Sequence, residues 1–223
     1  ISPVNTDFEA PPRAFATLKE LELHDVNITQ NISNGPNYAF ECFGRFTIHG
    51  IKFVSKGNNN HTNGCFLMAA YYTQVDVDRV DNIICNSSFE CEDINLNSFI
   101  WYLGRHNDSN TTPEFYLLNN TFKANKITSG GIVWLGASGP LRYFIEENTF
   151  IVKNSEMCLA DADGGNANVD CDGYITNNEF YINKNDGIAV MFDYEDKMKM
   201  HKQYNKFFTS GNSIYSYEDY KGE

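Results

Sequence analysis

Short apolar runs alternate along this chain with polar segments rich in Asn and Gly, and one block recurs among them. It consists of an apolar residue, two variable positions, then Asn-x-Phe. It reads Leu117-x-x-Asn120-Thr-Phe122, Ile145-x-x-Asn148-Thr-Phe150 and Ile175-x-x-Asn178-Glu-Phe180. A degraded copy, Thr209-x-x-Asn212-Ser-Ile214, closes the series, and Leu23…Ile28, Ile48…Phe53 and Ile84…Phe89 precede it. The spacing between copies is irregular, which predicts a constant core with loops of changing length.

A second kind of run follows each block: Tyr38–Phe43, Gly64–Met68, Ser98–Leu103, Gly131–Leu135, Met157–Ala160 and Gly187–Phe192. These runs are rich in β-formers and too short for helices, so they read as buried strands. Together the two blocks predict an all-β, single-domain fold: a right-handed parallel β-helix of about seven coils with irregular capping ends. Coils would stack at the strand spacing of about 4.8 Å, equivalent residue over equivalent residue. Ile28, Phe53, Phe89, Phe122, Phe150, Phe180 and Ile214 are expected to form one internal stack. Asn120, Asn148, Asn178 and Asn212 are expected to form a ladder at a turn, where Asn tolerates a left-handed backbone. An antiparallel sandwich would show period-2 alternation and hairpin turns, and few are visible.

Over residues 18–216 the block resembles the repeat of right-handed parallel β-helix proteins of the pectate-lyase-like superfamily, in architecture only. Residues 1–17 would form an N-terminal arm or cap and 217–223 a C-terminal tail. The family's enzyme signatures do not carry over. Asn5-Thr6-Asp7 precedes the helix, Ile48-His49-Gly50 stands where Gly-His-Gly would be needed, and the Asp-Asp pair and Arg-Ile-Lys of polygalacturonases are missing.

A net charge of −12 excludes nucleic acid as a partner, because a phosphate backbone requires a basic surface. No apolar run reaches the length of about 20 residues needed to span a bilayer. Seven sequons, at Asn27, Asn31, Asn60, Asn86, Asn107, Asn110 and Asn119, predict covalent N-glycans. Six cysteines without metal or redox spacing predict disulfides. Sequential pairing would join Cys42 with Cys65, Cys85 with Cys91, and Cys158 with Cys171. Both features point to an extracellular or cell-surface protein.

Candidate chemistry gathers in acidic loops after the second strands. The loop Asp161–Asp172 offers hard oxygens for Ca²⁺ from Asp161, Asp163 and Asn166, with glycines for a sharp turn. Aligned second strands would set Asp163 above Asp193 at the separation of a retaining glycosidase pair. The plain reading of both loops is solvated charge. Trp101 and Trp134 share a strand column; in a buried run they are expected to be core, and facing outward they would stack on sugar rings of a polysaccharide. His24, His49, His61, His106 and His201 are scattered without metal spacing, and Lys197–Lys202 reads as a solvated basic run. These features favour a non-catalytic structural glycoprotein that associates end to end. A carbohydrate-active enzyme and a glycan-binding module are the alternatives.

Overall fold

A computed structural model of the chain describes residues 6–7, 15–32, 38–57, 66–70, 81–96, 98–104, 114–127, 131–137, 141–153, 157–161, 171–183, 188–191, 198–209 and 214–216. All regular structure among the described residues is strand, and every strand pairing is parallel. There are two sheets. The first has eight strands, in the spatial order Thr6–Asp7, Asn27–Ile32, Lys52–Gly57, Ser88–Leu96, Thr121–Ile127, Thr149–Lys153, Glu179–Asn183 and Lys206–Thr209. The second has 13 strands and two limbs that meet at the long strand Phe40–His49. One limb continues through Asp81–Cys85, Glu114–Leu118, Leu141–Glu146, Cys171–Thr176 and Met198–Gln203. The other continues through Leu67–Ala70, Ile100–Gly104, Val133–Ala137, Met157–Asp161, Ile188–Met191 and Ile214–Ser216. Phe15–His24 pairs with Phe40–His49.

The register places the predicted aromatic column residue on residue. Ile28 meets Phe53, Phe53 meets Phe89, Phe89 meets Phe122, and Phe150 lies between Phe122 and Phe180. All of these side chains are buried. Phe122 stacks on Phe150 at 5.2 Å between centroids, and Phe150 on Phe180 at 5.0 Å, both with nearly parallel rings. The column ends in Phe207, not in Ile214. Ile214 instead pairs with Ile188 in the second sheet. The true last block is Lys202-x-x-Asn205-Lys-Phe207, whose opening position carries Lys where earlier blocks carry Leu or Ile.

The Asn ladder extends the same way: Asn205 is its last member among the described residues, and Asn212 lies outside them. Each amide oxygen accepts from the main-chain N–H of the layer before it: Asn120 Oδ1 from Ser87, Asn148 Oδ1 from Asn120, Asn178 Oδ1 from Asn148 and Asn205 Oδ1 from Asn178, at 2.9–3.0 Å. Each amide nitrogen donates back to the carbonyl that opens the preceding block, at Ile84, Leu117, Ile145 and Ile175. The ladder therefore satisfies polar groups that the turn would otherwise bury unpaired.

One step before each ladder position the backbone turns left-handed. Asp25, Gly50, Asn86, Asn119, Glu147, Asn177 and Tyr204 all have φ between 52° and 65°. This turn is the bend from the limb that runs through Asp81–Cys85 and Glu114–Leu118 into the first sheet. Within the strands, burial alternates: Phe115 and Leu117 point inward, and Glu114, Tyr116 and Leu118 outward. The outward rows carry the remaining chemistry.

Candidate functional site

The central outward row of the limb through Glu114–Leu118 is an aromatic ladder. Tyr116, Phe144, Tyr174 and His201 stack at 4.8, 5.1 and 4.7 Å. Beside it runs a row of alternating charge. Arg142 lies 3.3 Å from Glu114 and 4.0 Å from Asp172, and the register sets Lys199 next to Asp172. The Tyr116 hydroxyl donates to Glu114. On the first sheet Tyr181 stacks on Phe208 at 4.6 Å. Glu179 accepts from Lys206 Nζ and from the Tyr181 hydroxyl, both at 2.9 Å. The Lys206 ammonium, then the Tyr181 hydroxyl, hold the Glu179 carboxyl below its ordinary range.

Trp101 and Trp134 occupy one column, as the repeat predicts. The expectation that they are core is corrected. Each lies between two buried neighbours, Ile100 and Tyr102 or Val133 and Leu135, so alternation turns both indoles outward. They stack on each other at 5.4 Å and 20°. One face of each ring is thus occupied by its neighbour, and Tyr38 approaches Trp101 at 6.3 Å. The Trp101 Nε1–H is buried and finds no acceptor among the described residues. No family model, no curated protein and no solved structure matches the chain. The outward rows are therefore read on their own chemistry.

Asn86 and Asn119 are exposed and hold the same left-handed turn position on neighbouring layers. Asn119 Nδ2 donates to Asn86 Oδ1 at 2.8 Å. Asn27 is exposed two residues beyond the equivalent turn. Asn31 lies in the strand Asn27–Ile32, with its side chain outside the described residues, as are Asn60, Asn107 and Asn110.

No disulfide is found among the described residues. Cys42, Cys85 and Cys158 are free thiols, and each belongs to a different predicted pair. The cause is facing. Cys85 follows the inward Ile84 and so points out, whereas Cys91 lies two residues beyond the inward Phe89 and is buried. A disulfide between them would need one strand to turn over. Cys42 and Cys158 are fully buried, and burial pushes the Cys158 thiol well above the ordinary thiol range.

Asp161 ends the strand Met157–Asp161 opposite Leu135. Its side chain, together with Asp163, Asn166 and Asp193, lies outside the described residues, as do Cys65 and the side chain of Cys171. Among the described residues no three His, Cys, Asp or Glu side chains converge as they stand on a point that would hold a metal.

One row escaped the sequence reading. His24 pairs in register with His49, and His49 with Cys85, on the outward face at the mouth of the turn. Their separations in sequence are long and unequal, so only the register reveals them as neighbours.

Proposed function

We propose that the chain is a right-handed parallel β-helix of about seven coils, of the pectate-lyase-like architecture, serving as a rigid, non-catalytic glycoprotein module outside the cell. The helix covers 18–216, flanked by the arm 1–17 and the tail 217–223. The observation that carries this reading is the pair Asn86 and Asn119. Two sequon asparagines share one exposed corner on adjacent layers, and an uninterrupted stack of rings and amides lies behind them. Glycans attached there would line one edge and leave the aromatic and ionic rows clear. Secretion from a eukaryotic host tests it: endoglycosidase treatment should remove mass, and Asn86→Gln and Asn119→Gln should each remove one glycan increment. Secreted or native material with neither site modified overturns the reading.

Self-association would run through the ends, whose outward rows differ in sign. The first layer presents Glu20, Glu22 and Asp25, and the last His201 and Lys206. A junction that pairs Lys206–Thr209 with Thr6–Asp7 leaves one strand position of the second sheet unfilled. Such contacts should therefore be weak and salt-sensitive. Sedimentation across concentration and ionic strength checks this, and a monomer at every concentration removes it.

A second reading, polysaccharide binding, is favoured by the outward column of the Trp101 and Trp134 indoles. Affinity electrophoresis on a panel of glycans should then show retardation that Trp134→Ala abolishes. Equal mobility of both proteins on every glycan dismisses it.

A further inference from the structure

We propose that His24, His49 and Cys85 form a surface site for one divalent transition-metal ion of the zinc class, with Asp25 as the positioning residue for His49. The three donors occupy adjacent places in one outward row across three parallel strands. Neighbouring places lie about 4.8 Å apart, so His49 is central and a partner flanks it on each side. The two imidazole centroids are 6.3 Å apart at 38°. Two rings that share a tetrahedral zinc ion, each with a nitrogen about 2.0–2.1 Å from it, stand about 5 Å apart, so the pair must close by about 1 Å. The three donors do not converge on one point as they stand, so the site forms by side-chain rotation, for which there is room: His24 is exposed, His49 nearly half exposed, and the thiol of Cys85 is free.

Asp25 supplies an independent observation. Its carboxylate oxygen sits 3.7 Å from His49 Nδ1, and it occupies space that only glycine leaves open. A Cβ on Gly50 would collide with that oxygen. The Asp25 amide donates to the His49 carbonyl at 3.0 Å, which ties the carboxylate's strand to the imidazole's. Drawn from 3.7 Å to hydrogen-bond distance of Nδ1, that carboxylate would fix the tautomer and leave Nε2 to coordinate, the usual outer arrangement of a histidine–metal site. The donor set of two nitrogens and one sulfur selects a borderline or soft ion and disfavours Ca²⁺, which takes oxygen ligands. On binding, the Cys85 thiol gives its proton to solvent as the metal–sulfur bond forms, and water completes the tetrahedron.

The test titrates the full-length chain, with thiols reduced and excess reductant removed, with ZnCl₂ and in parallel with CoCl₂. The expected result is one tight equivalent of Zn²⁺, undisturbed by excess Ca²⁺. Co²⁺ should give a tetrahedral visible spectrum with a thiolate charge-transfer band. His24→Ala and His49→Ala should lose this equivalent, Cys85→Ser should lose the thiolate band, and Asp25→Asn should weaken affinity about 10- to 100-fold. His201→Ala, on another row, serves as the unchanged control. Far-UV circular dichroism confirms that each variant is folded. The proposal is overturned if no stoichiometric equivalent is taken up, if either His variant binds like the parent, or if Cys85→Ser leaves the cobalt spectrum intact.

Discussion

Asn120 and Asn148 are joined twice: Asn148 Oδ1 accepts from the main-chain N–H of Asn120 at 2.9 Å and from its side-chain amide at 3.0 Å. Both residues are buried. Asn148 Nδ2 in turn reaches the carbonyl of Leu117 at 2.7 Å, that of Glu146 at 3.0 Å and Asn178 Oδ1 at 3.0 Å. One side chain thus serves three layers.

Asn148→Ala should cost about 2–4 kcal/mol, because it leaves the Asn120 N–H and the Leu117 carbonyl buried without partners. Asn148→Asp should also destabilise, since it keeps the acceptor but loses the donor. Urea denaturation followed by circular dichroism reads both. A loss below about 0.5 kcal/mol for the Ala variant, the size of an ordinary surface change, would show that the ladder is not a stabilising element.

The left-handed corner makes opposite predictions at two positions. Gly50 has φ of +65°, and an added Cβ would collide with Asp25. Gly50→Ala should therefore destabilise by about 1–2 kcal/mol. Glu147 bears a side chain at φ of 58° and is exposed, so Glu147→Gly should be neutral or stabilising by up to about 1 kcal/mol. The same denaturation experiment decides, and equal signs for the two substitutions would contradict the turn assignment.

The core of this fold was legible because stacking repeats chemistry: Leu117, Ile145 and Ile175 open blocks that Phe122, Phe150 and Phe180 close. The last layer was misplaced because Lys202 occupies the position where those apolar residues stand, which shifted the apparent block from Asn205 to Asn212. Facing was harder to read than position. Trp101 and Trp134 were set in the right column but on the wrong side, since Phe99 and Ile100 are both buried and break the alternation just before Trp101. The cysteine pairs failed for the same reason at Cys85 and Cys91. The row of His24, His49 and Cys85 left no trace in sequence, because unequal loops separate its members.

Thiol labelling separates the three described free cysteines. Cys85 should react with an alkylating reagent in the native protein, whereas Cys42 and Cys158 should react only after unfolding. All three should label without prior reduction, as peptide mass spectrometry will show. A Cys158–Cys171 cross-linked peptide from unreduced protein would contradict the thiol state found here.

Glu179 should titrate below its ordinary range because Lys206 and Tyr181 bond its charged form. Lys206→Met should move that titration back up, as carbonyl ¹³C NMR can follow. The sign for stability is that of a depressed carboxylate: the contribution is present above the unfolded carboxyl pKa and fades as pH falls through the folded one. Both side chains are solvent-exposed, so the effect should weaken further with salt. An unchanged titration in Lys206→Met would remove the interaction.

Ring-to-ring NOE contacts in protein with only its phenylalanines protonated test the layered stack most directly. The account predicts ordered contacts along the column, Phe89 to Phe122, Phe122 to Phe150 and Phe150 to Phe180, with Phe66 and Phe99 touching it at the side and no link from Phe122 to Phe180. Missing ring contacts between Phe122 and Phe150, or a direct contact between Phe122 and Phe180, would contradict it.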